Sequence, residues 1–186
     1  MGLTIADTYF LKARGAACGI FSDWSEVCES LNYALSYDEN HIASLCLLGE
    51  IYAEHLKLYA EAFECFDKAI AIDPSNIEVY PKYAMYLIWI NETNRAEKLV
   101  NHAFNISAID EAHLHWLLSY IDETRGNYKA SLKHLKQAKV SCYNDNYYGF
   151  MQSEEKRIRK KIETLKPKKK KTSKKTKSKK EKKKKK

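Results

Sequence analysis

The sequence predicts an all-α protein in which one helix pair is written four times and stacked into a solenoid. Three observations lead there. Small residues recur at Gly15, Gly49, Ala84 and Ser119, at intervals of 34, 35 and 35 residues. A second small set, Ala34, Ala69, Ala103 and Ala138, recurs at 35, 34 and 35. A large set, Leu31, Phe66, Val100 and Leu135, keeps that same rhythm. Three positions repeating together mark a structural unit of about 34 residues. Two antiparallel helices approach closely only where a Gly, Ala or Ser on one receives a larger side chain from the other. A lone helix pair cannot bury its apolar faces, so the pairs must stack.

The units fall at about 8–41, 42–76, 77–110 and 112–145, making a repeat array of residues 1–145. In the first, Ser22-Asp23 followed by Glu26 predicts the N-cap and capping box of the second helix, and Trp24 takes the place that Tyr59 and Tyr128 hold later. In the second, the turn at Leu56-Lys57-Leu58 is one residue longer than the pattern requires. In the third, Pro81 falls early in a helix, where a missing N–H costs little, and Asn91-Glu92-Thr93-Asn94 makes the turn without glycine. The fourth turns at Gly126-Asn127-Tyr128, with His115 where a large apolar residue is expected and Asp122 where Tyr52 sits in the second unit. Tyr147, Met151, Ile158, Ile162 and Leu165 then keep helical spacing among charged residues. That predicts a capping helix over 146–166, with Lys156-Arg157-Ile158-Arg159-Lys160-Lys161 on its solvent face.

Charge divides the 186 residues sharply. The net charge is +8, yet from Lys166 onward there are 15 lysines against one glutamate, a net +14. The preceding 165 residues hold 17 basic and 23 acidic side chains, a net −6. Residues 167–186 carry no apolar side chain after Pro167, so a disordered polybasic tail of about 25 Å span is expected. Lys168, Lys169, Lys170, Lys171, Lys174, Lys175, Lys179 and Lys180 suit sequence-independent, salt-sensitive contact with nucleic acid or the ribosome. Anionic membrane, nuclear import and simple solubilisation use the same composition. The tail has no aromatic residue for reading bases.

No catalytic constellation stands out, and no cofactor or metal is predicted. The six glycines form no phosphate loop, and His113 and His115, two apart, face different sides of a helix. Cys18, Cys28, Cys46, Cys65 and Cys142 are odd in number and make no CxxC pair, so buried thiols in a reducing cytosol are expected. The N-terminus lacks a signal-peptide pattern, Ala6 stands where a myristoylation motif wants Ser or Thr, and no apolar stretch has the length of a membrane span. A cytoplasmic location is expected, and the sequence leaves the oligomeric state open.

Leu45, Leu48, Gly49 and Tyr52, then Ala62, Phe66, Ala69 and Pro74, follow the spacing W/L-x2-L-G-x2-Y, A-x3-F, P. This resembles the tetratricopeptide repeat, best in the second unit and over about residues 8–145. The resemblance implies a right-handed superhelix whose first helices line a concave groove for an extended or helical peptide. It also implies a non-catalytic scaffold or adaptor with a protein partner. Carried onto this chain, the groove would comprise Tyr9, Lys12, Cys46, Glu50, Lys82, Met85, Trp89, His113, Trp116 and Tyr120. Aromatic side chains there serve either as anchors for a partner or as packing between first helices, with packing favoured for Trp89 and binding for Trp116 and Tyr120. Members that grip acidic chaperone tails use paired Lys/Asn and Lys/Arg residues. Here Lys12 and Lys82 stand with Ala16 and Glu78 instead, which argues against that ligand.

Overall fold

The computed structural model of the chain describes residues 2–18 and 22–165, and these hold nine α-helices and no strand. They are α1 (Ile5–Ala17), α2 (Trp24–Tyr37), α3 (Ile42–Ile51), α4 (Tyr59–Ile72), α5 (Val79–Trp89), α6 (Thr93–Ala103), α7 (Glu111–Thr124), α8 (Tyr128–Val140) and α9 (Asp145–Leu165). Helices α1/α2, α3/α4, α5/α6 and α7/α8 pack as hairpins, each hairpin rests on the next, and α9 closes the stack against α8. The expected polybasic tail lies outside the described residues.

Polar side chains start several of the helices. Thr4 and Asp7 form a reciprocal capping box on α1. Asp23, not Ser22, caps α2, accepting from the N–H groups of Ser25 and Glu26. Asp110 caps α7 through the His113 N–H, and His41 caps α3 through the Ser44 N–H. His41 also reaches back 3.2 Å to Asp7, tying the start of the second hairpin to that of the first. Pro81 is the third residue of α5, where no intrahelical donor is lost.

The turns within the later hairpins share one device. Lys57, Asn91 and Gly126 all adopt left-handed backbone, with φ of 59°, 64° and 77°. The next N–H then closes the turn: Glu92 donates to Leu87, and Asn127 to Asp122, each five residues back. In the second hairpin Leu58 donates to Tyr52, six residues back. The extra residue is absorbed by a π-helical turn over Tyr52–Leu56 rather than by a longer loop.

The core follows the repeated triplet where hairpins have neighbours. Leu31, Phe66, Val100 and Leu135, with Ala34, Ala69, Ala103 and Ala138, are all at most 1% exposed. A Cβ on Gly49 would sit 2.9 Å from the Phe66 ring, so this close approach requires glycine. Ala84 is fully buried, and buried Ser119 shares a 2.9 Å hydrogen bond with Ser131 of α8. The first hairpin departs: Gly15 is exposed with nothing within 4 Å of a built Cβ, and Ala13 is the buried small residue instead.

Helix α9 shields the last apolar surface through Met151 and Ile158, packed with Leu135 and Ala138. Two expectations for it are corrected. Leu165 is exposed, and the basic block does not lie wholly in solvent. Arg157 and Lys161 turn inward onto Glu123 of α7, because a carboxylate only 7% exposed needs partners. Buried thiols were expected, yet Cys46 is the only cysteine buried and Cys18 is exposed.

Candidate functional site

A groove of about 530 Å³ opens between α5, α7 and α9. Helical spacing delivers its walls: Met85 and Trp89 lie four apart on α5, and Trp116, Tyr120 and Glu123 lie on one stripe of α7. Arg157 and Lys161, with Glu154 one turn earlier, come from α9. Trp89 is 46% exposed, edge-on to Tyr86, with the Lys57 ammonium 5.8 Å from its ring. Trp116 is half-buried between Tyr120 and Phe150, with His113 edge-on at 5.5 Å.

The groove's charges neutralise one another. Arg157 holds Glu123 by a two-pronged contact at 2.5 and 2.6 Å and also reaches Glu154, while Lys161 adds a 2.5 Å bond to Glu123. Burial alone would push the Glu123 carboxyl up. The hydrogen bonds and charges of Arg157 and Lys161 outweigh it and hold the group below the usual carboxylate value. Burial lowers the proton affinity of His113, which favours a neutral ring beside Trp116. What remains for a ligand is an aromatic wall with a satisfied polar floor.

Residues 42–76, which span α3 and α4, match the family model of the tetratricopeptide repeat. This stretch carries a tetratricopeptide repeat. No curated protein matches its sequence. Solved structures match the tetratricopeptide fold at low identity. PilF of Pseudomonas aeruginosa aligns at a TM-score of 0.69 and 15% identity, over 86% of this chain and 69% of that one. TTC0263, a tetratricopeptide protein of Thermus thermophilus, gives 0.65 and 11%, over 82% and 80%. MamA from Desulfovibrio magneticus RS-1, residues 41 to its end, gives 0.63 and 16%, over 86% and 92%.

Within the tetratricopeptide array, the structure gathers only part of the groove expected from sequence. Met85, Trp89, Trp116 and Tyr120 come together, and His113 adjoins them. Trp89, for which packing was favoured, is 46% exposed and touches Tyr86, whereas Trp116 packs more closely. Glu50 and Lys82 form a 2.5 Å ion pair on neighbouring first helices. Cys46 is 5% exposed, and burial pushes its thiol up to about 11. Tyr9 and Lys12 turn to α2 instead. Tyr9 stacks on Tyr33 and Tyr37, and Lys12 reaches Glu26. With Ala13 in the place of Gly49, Lys12 stands where Leu48 sits in α3. Leu48 packs on the preceding hairpin, and no hairpin precedes α1 among the described residues. The tail lysines from Lys168 to Lys180 lie outside the described residues.

Glu123, Thr124, Glu154, Arg157 and Lys161 were not read from sequence as groove residues. For Glu123 the signal was present, three residues after Tyr120 and seven after Trp116. For Arg157 and Lys161 it was not, because their partner is more than thirty residues away. Among the described residues, no group of three or more His, Cys, Asp or Glu is placed to hold a metal ion, and no helix is long and apolar enough to cross a membrane.

Proposed function

We propose that this chain is a non-catalytic scaffold that holds a protein segment in the groove between α5, α7 and α9. The observation that carries the reading is the aromatic wall of Trp89, Trp116 and Tyr120 around an open space large enough for several side chains. Aromatic residues presented on rigid helices are the anchors binding sites use, since they contribute large contact area at small entropic cost. Because Glu123 and Glu154 already satisfy Arg157 and Lys161, the ligand is selected by apolar and aromatic side chains rather than by net charge. Acidic C-terminal tails are not the ligand: Lys12 is paired with Glu26, and Lys82 with Glu50.

Two of the three tryptophans line the groove, so occupancy has an optical readout. Peptides selected from a random display library against the full chain are expected to shift tryptophan emission and to lose about tenfold or more affinity in Trp116→Ala or Trp89→Ala. Selected peptides that bind both variants as they bind the parent, with emission unchanged, would place binding elsewhere.

A further inference from the structure

The outer helices of the four hairpins change sign along the solenoid. Helix α2 carries two glutamates and no basic residue, and α4 carries three acidic residues against Lys68. Helix α6 has one acid against Arg95 and Lys98, and α8 has four lysines and no acid. The change is clearest at one exposed position, two residues before each buried Leu31, Phe66, Val100 and Leu135. It reads Glu29, Glu64, Lys98, Lys133. The acid excess of the body is therefore concentrated in the first two hairpins, and the charge reverses before the tail begins.

On α8 the lysines are sorted by direction. Lys139 faces α9 and is bonded to Glu155. Lys129, Lys133 and Lys136 are exposed, and their ammonium groups have no partner among the described residues. They lie four and three residues apart on one stripe, about 6 and about 4.5 Å along the axis. The stripe ends at Val140, 72% exposed, where the helix stops; three residues further on, outside the helix, the Tyr143 side chain is fully exposed and stacks on no other ring among the described residues. There it meets a cleft of about 760 Å³ bordered by Asn144, Asp110 and Tyr147, whose hydroxyl is buried without a partner.

We propose that this stripe of α8 binds single-stranded nucleic acid, with Lys129, Lys133 and Lys136 on successive phosphates and a base stacked on Tyr143. Lysine suits the phosphate as a mobile point charge. A row of exposed ammonium groups complements a partner whose negative charge repeats along its length, as the phosphates of a nucleic-acid strand do. The phosphates account for the lysines, and the base accounts for an aromatic ring held in water at the end of the row. The site is separate from the groove.

The test uses the full chain and a fluorescein-labelled single-stranded RNA of about 20 nucleotides, followed by anisotropy from about 50 to about 200 mM salt. The triple variant Lys129→Gln/Lys133→Gln/Lys136→Gln is expected to bind about tenfold or more weakly, with the slope of log affinity against log salt shallower by about two. Changing the same three lysines to Arg keeps the charge and restores both, which separates charge from folding. Tyr143→Ala is expected to weaken binding about fivefold or more while leaving the salt slope in place. Trp116→Ala leaves RNA binding intact. An unchanged slope and affinity in the Gln triple variant would overturn the proposal. So would loss of binding to phosphatidylserine vesicles without loss of RNA binding, or self-association by sedimentation that the triple variant abolishes while RNA binding persists.

Discussion

The second and fourth hairpins share a topology and are held by different physics. Between α3 and α4 a glycine admits a phenylalanine ring, and the contact is wholly apolar. Between α7 and α8 the corresponding approach is a buried serine pair, Ser119 with Ser131, flanked by His115 and His134. Beyond it Glu123 is bound by α9. An apolar seam fills space and leaves nothing to recognise. The polar seam consumes hydrogen-bonding capacity, and beside it the aromatic side chains of α7 stay available at the groove. The fold therefore tolerates polarity at this end: the serine pair and Glu123 are met, while His115 Nδ1, His134 Nδ1 and the Tyr147 hydroxyl are buried without a partner among the described residues.

The sharpest way to break this contrast is at its apolar side. Phe66→Ala removes the ring that fills the space over Gly49 and is expected to cost about 3–5 kcal/mol by urea unfolding. On the polar side, Arg157→Met leaves buried Glu123 with Lys161 alone and is expected to cost about 1–3 kcal/mol. That loss depends on acidity. The Glu123 carboxyl is held below its ordinary value of 4.5, so its contribution is present above that pH and disappears as pH falls through the depressed value. Unfolding curves taken from neutral to acid pH should show a steeper acid loss in the parent than in Arg157→Met.

Ser131→Ala strands the Ser119 hydroxyl and is expected to cost about 1–2 kcal/mol, whereas Ser119→Ala/Ser131→Ala recovers much of it. A double variant no better than the single would show that the hydrogen bond is not what joins α7 to α8. The smallest effect lies at His115. Burial, and then the neighbouring His134, hold its imidazole below the usual 6.5. As pH falls through that value the unfolded chain takes up a proton before the folded one, so stability declines. His115→Leu, with the large apolar residue the pattern expects, is predicted to remove a few tenths of a kcal/mol of that decline.

The residues explain why the fold was more legible than the site. The triplet of Leu31, Phe66, Val100 and Leu135 with its alanines repeats because every second helix packs on its own first helix in one way. Gly15 misled because α1 has a neighbouring hairpin on one side only among the described residues. Ala13 meets α2, and Gly15 is left with nothing to contact. Met85, Trp89, Trp116 and Tyr120 were found from register, since a stripe on a helix is local information. The Glu123 contacts with Arg157 and Lys161 span 34 and 38 residues, and the earlier links between neighbouring first helices, Glu50 with Lys82 and Glu54 with Tyr86, use other residues at a span of 32, so no period announces them. The sign reversal on α8 was visible in the letters, but only burial separates Lys139, which is spent on Glu155, from Lys129, Lys133 and Lys136, which are not.

Helix α1 rests on α2 and touches α3 at its edge, and the consequence is an order of events. In a stack where each unit answers only to its neighbours, an end opens without disturbing the middle. Backbone amides of Ala6 to Ala17 are expected to exchange for deuterium far sooner than those of α5 and α7, which are hemmed in on both sides. Brief exchange followed by mass spectrometry of proteolytic fragments would rank them. A protease or chaperone scanning the described helices would then meet α1 before α5 and α7.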